Sequence, residues 1–226
     1  QTPIERHLRF PQQKTGPSGK NEVGVGVLGA GLFGKALLLP ALAKTAHAKL
    51  HTLVTTSGVN AEHSAKRFGF QSCATDETSL WNEEEINAVV ALTPHHTHAR
   101  LVKEAIAHQR PLFLEKPLCV TPEELDELIQ LIEKQKRLPI VQVGHNRRFS
   151  PHVQQIRKWL QHRVDPLVLQ MRVNAGYVPP DHWVHSESEG RSRIVGEMSH
   201  FIDLMQALIG SLPVQIHAER VDGNNR

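Results

Sequence analysis

A glycine-rich turn between an apolar run and an Ala/Leu-rich segment constrains this chain more than any other feature. Residues 22–40 read EVGVGVLGAGLFGKALLLP, and the turn itself is Gly29-Ala30-Gly31-Leu32-Phe33-Gly34. In a strand–turn–helix unit the first glycine permits a tight turn, and the second lets a pyrophosphate approach the backbone. The third lets helix and strand pack closely, with the phosphates at the helix N-terminus. The pattern predicts a dinucleotide site; the alternative is a tight turn without a ligand.

Composition narrows the class of protein. The 226 residues can bury one good core, or one domain and part of another. Lys+Arg number 26 against 23 Asp+Glu, and no long basic run stands out, which argues against a nucleic-acid surface. Cys73 and Cys119 have neither disulfide nor metal spacing, as expected in a reducing compartment. With no membrane-spanning run and no signal-peptide pattern, we expect a soluble, cytoplasmic protein.

The first 143 residues alternate between strand and helix patterns. Residues 1–20 carry three prolines and two glycines, which favours a linker, and the start at Gln1 suggests a piece of a longer polypeptide. Pro40 is expected to kink or break the first helix. Strands are predicted at 50–55, 87–92, 111–114 and 139–143. Helices are predicted at 61–68, 98–108 and 122–136, with Asn60 as one N-cap, Gly69 as a left-handed end, and Thr121 and Glu124 as a capping box. This alternation predicts an α/β fold, a Rossmann-type doubly wound parallel sheet over residues 21–143.

The remainder, 144–226, has a different pattern. Helices are predicted at 150–161 and 194–209, strands at 166–175 and 213–219, and a loop at 174–185. These elements predict a second, α+β domain. It has too few strands for a complete layer, so we expect it to be truncated after Arg226.

Two side chains could carry chemistry. Lys116 follows a predicted parallel strand at the sheet edge where ligands bind, beside Pro117, whose peptide bond is a candidate for the cis form. A lysine there can polarise a substrate oxygen, although a solvated strand end is the alternative. His200 shares a helix face with Glu197 and Asp203 and is suited to proton transfer near neutral pH. The alternative is a hydrogen-bonded interface histidine.

Clusters of histidine occur at residues 95–98 and 182–185. Zinc needs three or four ligands, and neither cluster has an evident acidic or cysteine partner. The chain contains 15 histidines, so chance clusters are expected. We therefore predict no metal site.

The end of the second strand bears on the choice of cofactor. A ribose-binding acid is expected about 20 residues after the glycines, but the sequence there is Thr55-Thr56-Ser57-Gly58. This segment has no acidic side chain that would repel a 2′-phosphate, and the Ser57 hydroxyl can donate a hydrogen bond to such a phosphate. Lys66 and Arg67 follow at the far end of the next predicted helix. NADP is at least as favoured as NAD.

Together these motifs resemble the glucose–fructose oxidoreductase / inositol dehydrogenase (Gfo/Idh/MocA) family. The resemblance is carried by the glycine turn, Thr93-Pro94, Glu115-Lys116-Pro117, Asn146-Arg147-Arg148-Phe149 and His200-Phe201-Ile202-Asp203. Residues 173–183 and Gly196-Glu197 are most similar to bacterial proteins that fuse such a domain to a zinc-type alcohol dehydrogenase module. Residues 1–20 would then be the tail of that upstream module.

The resemblance implies hydride transfer between NAD or NADP and a hydroxyl-bearing carbon of a sugar or cyclitol. Lys116 would hold the substrate oxygen, His200 would act as general acid/base, and the two would meet across the nicotinamide. Besides the glycine turn and Lys116, the implied cofactor-binding residues are Thr55, Ser57, Thr93, Pro94, His95, His98 and Glu115. Besides Lys116 and His200, the implied substrate-binding residues are Asn146, Arg147, Tyr177, His182 and Trp183.

The chain departs from the family pattern in two respects. The family often has an Asp four residues before the histidine; here that position is Gly196, and Glu197 is expected to take its catalytic place. The C-terminal sheet that normally covers the substrate cleft is missing. The rival interpretation is therefore a non-catalytic, NAD(P)-binding sensor or scaffold, and a homo-oligomer stays open.

Overall fold

The computed structural model describes residues 6–11, 22–187, 189 and 193–219. Their contacts divide the chain into two units. The first comprises Gln1–Gly144 and Pro180–Gly196, and the second comprises His145–Pro179 and Glu197–Arg226. Residues 180–196, which the sequence pattern assigned to the substrate domain, thus group with the predicted dinucleotide domain.

One sheet dominates the first unit. Among the described residues its strands are β1 (His7–Arg9), β2 (Val23–Leu28), β3 (Ala48–Val54), β4 (Ser72–Ala74), β5 (Ala88–Ala91), β6 (Leu112–Leu114) and β7 (Val141–Val143). Their spatial order is β1-β4-β3-β2-β5-β6-β7, and every neighbouring pair is parallel except β1 with β4. Because helices connect the central parallel strands, this is the doubly wound Rossmann-type fold. The predicted fold class is confirmed.

Helices cover both faces of this sheet. Those of the first unit are α1 (Leu39–Ala43, preceded by a π-helical turn over Gly34–Leu38), α2 (Gly58–Phe68), α3 (Thr78–Asn82), α4 (His98–Ala107) and α5 (Pro122–Glu133). The predicted break at Pro40 is instead a change of helix type, since the Leu39 N–H bonds to the Gly34 carbonyl five residues back and Pro40 has no N–H. None of the helices in the described part of the chain is both long and apolar enough to cross a membrane.

The helix ends agree with most of the predicted signals. Thr121 and Glu124 form the expected capping box, and Gly69 closes α2 with φ of 81°. The prediction of Asn60 as N-cap of α2 is wrong, because Ser57 caps that helix and its hydroxyl accepts from the Asn60 N–H. The helix therefore begins one turn earlier than its apolar pattern indicated.

Two hydrophobic clusters lie on the two faces of the sheet. On one face, α4 and α5 bury Leu101 and Leu128 against strand residues such as Leu114. On the other face, α1 and α2 bury Leu39 and Ala65. Burial on both faces explains why the central strands are near-continuous apolar runs.

The predicted linker at residues 1–20 contains a strand. Within it, His7–Arg9 pairs with Ser72–Ala74, and the Phe10 N–H donates to the Gln71 carbonyl at 2.8 Å. Sequence patterning missed β1 because a three-residue strand among prolines carries too little alternation to be recognised. Residues 1–5 and 12–20 lie outside the described residues.

The second unit is helical where it is regular. It contains a short 3₁₀ turn (Asn146–Phe149), α6 (Pro151–Leu160) and α7 (Ser199–Ile209), which follows a π-helical turn over Ile194–Met198. The strands predicted at 166–175 and 213–219 are wrong for this structure: neither segment is in a strand. Their apolar side chains are exposed, Val168 at 93% and Val214 at 103%. A strand pattern becomes a strand only when a neighbouring chain satisfies its backbone hydrogen bonds.

Candidate functional site

The glycine turn after β2 has the geometry that its sequence predicted. Gly29 has φ of 90°, and a Cβ at this position would lie 2.4 Å from the Leu92 carbonyl oxygen. Only glycine fits such a conformation and such an approach without strain. At Gly34 a Cβ would lie 3.1 Å from Leu92 Cδ1, so the start of the helix also packs closely on the strand end.

The space in front of the turn is open. A Cβ on Gly31 would have no atom within 4 Å, and Leu32 is 92% exposed, while Ala30 is buried beneath the turn. The first N–H groups of a helix lack intrahelical acceptors and favour a bound anion. The turn therefore has both the room and the donors that a dinucleotide pyrophosphate needs, and Phe33 borders it with its ring partly exposed.

The end of β3 is uncharged, as its sequence indicated. Thr55 is buried and its hydroxyl donates to the Ser57 carbonyl at 2.7 Å, which leaves the Ser57 side chain exposed at the start of α2. The predicted cations are committed elsewhere: Lys66 pairs with Glu62 at 2.6 Å, and Arg67 stacks on Phe68.

A different lysine lies beside this turn. Lys35, in the first turn after Gly34, donates from Nζ to the side-chain oxygen of Asn60 in α2. Sequence reasoning missed it because the partners are 25 residues apart and their pairing depends on how the two helices pack.

The turn after β5 is held by hydroxyl and imidazole hydrogen bonds. Thr93 and Thr97 hydroxyls lie 2.7 Å apart, and Thr97 donates to the Pro94 carbonyl. His98 is fully buried, with Nδ1 2.6 Å from the Pro117 carbonyl oxygen and Nε2 3.0 Å from that of Thr93. Burial lowers the pKa of His98, and its two carbonyl contacts oppose that shift.

The resemblance implied that His98 lines the cofactor, and this stays a prediction. In the structure its side chain has no exposed surface and joins the strand ends that carry Thr93 and Pro117. Its role in the site is to fix the spacing of two neighbouring turns.

Lys116 is the second residue after β6, and its peptide bond to Pro117 is cis, as anticipated. Its Nζ donates to the Gly196 carbonyl oxygen at 2.7 Å. Burial raises the pKa of the neighbouring Glu115, and the Lys116 charge partly offsets that shift. The lysine is thus anchored by a main-chain oxygen at the position where the resemblance expected a carboxylate.

Glu189 connects the 180–196 segment to the turn after β5. Its carboxylate accepts from the His95 N–H at 2.9 Å and also contacts His96 Nδ1. Its carbonyl oxygen lies 2.6 Å from His95 Nδ1, which fixes a proton on that nitrogen. Burial lowers the pKa of His95, which favours the neutral ring, and Trp183 contacts this ring edge-on with centroids 5.8 Å apart.

Replacing Glu189 with alanine should loosen this segment. Hydrogen bonds to a charged group contribute about 1.5–3 kcal/mol each, so losing them should raise the rate of tryptic cleavage after Arg193 by about tenfold. Time-resolved proteolysis with mass spectrometry measures this rate. Glu187→Ala, an exposed acid in the same segment, is the matched control and should cleave as the unmodified chain does. Equal rates for all three proteins would contradict the anchoring role of Glu189.

In the second unit, α7 carries His200, whose ring meets that of His145 edge-on at 5.6 Å between centroids. Asp203 forms a two-point ion pair with Arg148, with Arg148 Nε 2.8 Å from Oδ2. Sequence reasoning did not assign this arginine, and the pair shows that Asp203 secures the helix to the 146–149 turn.

Other predicted substrate residues are more exposed. Arg147 lies over the Phe201 ring at 4.4 Å, Asn146 is exposed, and Tyr177 is 69% exposed. Glu197 is half-buried at the π-helical turn. In the first unit, the His182 and Trp183 rings are in contact, with centroids 5.4 Å apart and planes tilted by 37°.

Most of the predicted cofactor-binding residues of the first unit lie along one edge of the sheet. Strands β3, β2, β5 and β6 are neighbours and parallel, so their carboxyl ends place four features side by side. These are Ser57, the glycine turn, the 93–98 turn, and Glu115 with Lys116. In open α/β sheets this edge is where ligands bind.

The histidine clusters considered for metal do not form a ligand group in the described part of the chain. The group that has metal-like spacing there is His51, Glu83 and Glu85. All three members already have partners: His51 Nε2 lies 2.8 Å from a carboxylate oxygen of Glu85, and Glu83 pairs with Arg9 at 2.9 Å. These contacts read as a structural ion-pair network.

A comparison with family models identifies residues 23–145. They match GFO_IDH_MocA, described as an oxidoreductase family with an NAD-binding Rossmann fold. The match covers more than half of the chain and includes the glycine turn, the 93–98 turn and Lys116.

Curated and solved relatives agree with this match. An inositol 2-dehydrogenase of Rhizobium meliloti is 28% identical over 197 residues, which are 85% of this chain and 57% of that protein. A levoglucosan dehydrogenase of Pseudarthrobacter phenanthrenivorans is 28% identical over 200 residues, 82% of this chain and 51% of that protein. A structure of levoglucosan dehydrogenase with NADH and levoglucosan superposes with a TM-score of 0.65 at 25% identity, covering 84% of this chain and 54% of the other. The chain spans little more than half the length of these two curated relatives.

Proposed function

Because this chain belongs to the Gfo/Idh/MocA oxidoreductase family, we propose that it transfers hydride between NAD(P) and a hydroxyl-bearing carbon of a sugar, cyclitol or related alcohol. The observation that carries the proposal is the position of Lys116 on the sheet edge that also bears the glycine turn. The named activities of the relatives, on inositol and levoglucosan, support this substrate class.

The glycine turn and the 93–98 turn would hold the cofactor, which supplies the hydride acceptor or donor when bound. The open space at Gly31 and the close fit at Gly29 are what such a group requires. Thr93, Pro94, His95 and Glu115 are proposed to line its nicotinamide end.

Lys116 is proposed to bind and polarise the substrate oxygen. An ammonium has three N–H donors, and the Gly196 carbonyl takes one of them. That bond fixes the direction of the side chain, so that another N–H can be aimed at the alcohol or carbonyl oxygen. A fixed positive charge stabilises the developing alkoxide without reorganisation during the reaction.

His200 is proposed to remove and return the hydroxyl proton. Imidazole is the side chain whose ordinary pKa best suits this role near neutral pH. Glu197, on the preceding turn, is proposed to assist it. Asn146, Arg147, Tyr177, His182 and Trp183 are proposed to contact the rest of the substrate.

The test has two stages. Fluorescence titration with NADH and NADPH should show saturable binding by the purified chain. A screen of inositols, anhydrosugars and free or nucleotide-linked sugars, followed by absorbance of the reduced nicotinamide, should then identify turnover. If neither NADH nor NADPH binds to the chain, the proposal is contradicted.

A second candidate is a non-catalytic, NAD(P)-responsive sensor or scaffold of the same fold. It is favoured by Gly196, which stands where the family often has an Asp. Clear nucleotide binding without turnover on any substrate of the screen would support this candidate over the enzyme.

We also propose the finer assignments of partner and location. The likeness of residues 173–183 to fused bacterial proteins favours an upstream zinc-type alcohol dehydrogenase module, which intact mass measurement of the native protein would test.

Cys73 and Cys119 are free thiols, which favours the cytoplasm. Light scattering after size-exclusion chromatography would test for a homo-oligomer.

A further inference from the structure

Lys35 lies next to the turn after β3, where the adenosine end of a dinucleotide meets a Rossmann fold. In Rossmann folds the residue after the second strand of the unit binds the ribose 2′-hydroxyl, or a nearby cation accepts a 2′-phosphate. Here that strand is β3, followed by Thr55, Thr56 and Ser57. Lys35 is tied to Asn60, which in turn donates its backbone N–H to Ser57 Oγ at 3.4 Å. The lysine is thus linked through one residue to the turn in question.

The orientation of Asn60 is itself fixed. Its side-chain oxygen accepts from Lys35 Nζ and from Ser64 Oγ, the latter at 3.3 Å. Asn60 and Ser64 are one helical turn apart on α2, so the acceptor is held by the helix and not by a mobile surface contact. Lys35 is half-buried, which limits the directions in which its ammonium can point.

The carboxylates near this turn are already engaged. Glu62 pairs with Lys66 at 2.6 Å. Asp76, which follows β4, accepts from the Thr78 N–H at 2.9 Å, and this bond lowers the pKa of Asp76. The turn itself contains no acid that could hold a ribose diol in the way an NAD-specific site does.

We propose that Lys35 is a specificity-determining residue that binds the 2′-phosphate of NADP(H), with the Ser57 hydroxyl as a second donor. The inference rests on the proposed function, since it concerns the nucleotide of the same site. An ammonium and a phosphate form a strong, charge-assisted hydrogen bond. The N-terminus of α2 adds favourable partial positive charge for the same group. Asn60 keeps the lysine in place when no phosphate is bound.

The experiment compares two nucleotides on one chain. Dissociation constants of NADPH and NADH are measured by nicotinamide fluorescence for the unmodified chain, Lys35→Gln and Lys44→Gln. Lys44 is an exposed lysine at the other end of the same helix and serves as the matched control. Thermal melting of each variant verifies that the fold is retained.

We expect the unmodified chain to bind NADPH at least tenfold more tightly than NADH. Lys35→Gln should weaken NADPH binding by 10- to 100-fold and change NADH binding by less than twofold, while Lys44→Gln should change neither. Asn60→Ala should lower the NADPH preference by a smaller factor, about three- to fivefold, because the lysine stays but is no longer held.

Each other result overturns the inference in a distinguishable way. If neither nucleotide binds the unmodified chain, the proposed function fails and the role of Lys35 fails with it. If both bind and NADH is preferred, or if Lys35→Gln weakens both equally, the dinucleotide site stands and the 2′-phosphate role of Lys35 is wrong.

Discussion

Replacing Lys116 with alanine is expected to lower turnover by about 10³-fold and to leave the dissociation constant of the nucleotide within about twofold. General acid–base and charge-stabilising groups contribute about 10²–10⁴-fold each to a reaction rate. Lys116 is proposed to act on the substrate oxygen, whereas the phosphates are proposed to bind at the glycine turn, which follows β2, two strands away from β6. Loss of the ammonium should therefore affect the reacting state and not nucleotide binding.

The measurement uses the best substrate from the screen, with initial rates followed through nicotinamide absorbance. Lys103→Ala is the control, because this lysine pairs with Glu127 of the neighbouring helix α5 and is not one of the proposed site residues. Turnover retained by Lys116→Ala would remove Lys116 from the mechanism. An equal loss of nucleotide affinity would assign it to binding instead.

Replacing Gly29 with alanine is expected to destabilise the first unit by about 3 kcal/mol or more. The added Cβ would lie 2.4 Å from the Leu92 carbonyl oxygen, which belongs to the backbone and cannot rotate away. A left-handed backbone at a residue with a side chain adds a further cost of about 1–3 kcal/mol. Chemical denaturation should show a lower midpoint, and nucleotide binding should fall together with stability.

Gly31→Ala is the matched change, and it separates folding from binding. Its Cβ would meet no protein atom, so the midpoint of unfolding should be unchanged within about 0.5 kcal/mol. The methyl group would occupy the space proposed for the pyrophosphate, so nucleotide affinity should fall at least tenfold. If Gly31→Ala bound nucleotide normally, the open space at the turn would not be the phosphate site.

The sheet could be predicted because its information is local. Apolar runs bounded by capping signals specify buried parallel strands and their helices, and Thr121 with Glu124 shows how a few neighbouring residues fix a helix start. The strand predictions at 166–175 and 213–219 were wrong because strand formation also depends on long-range pairing. An alternating pattern shows that a segment could have one apolar face as a strand, but a strand forms only where a second segment pairs with it.

The same distinction between local and long-range information applies to the candidate site. The glycine turn and Lys116 could be predicted from the sequence, because each follows a predicted parallel strand and the ends of such strands lie on one edge of the sheet. The pairing of Lys35 with Asn60 and the hold of Glu189 on His95 depend on packing between distant segments. The burial of His98 likewise depends on tertiary packing, since its ring contacts the carbonyl oxygens of Thr93 and Pro117 from two different strand ends.

The short strand β1 has a consequence for how the first unit behaves in solution. It runs along β4, which would otherwise end the sheet on that side with unpaired N–H and C=O groups. Bare sheet margins of this kind recruit strands from other molecules and seed aggregates. Strand β1 covers the open side of β4 and becomes the edge strand itself. Because β1 has only three residues and is followed by Phe10 and Pro11, it is too short and too close to a proline to pair with a strand from another molecule.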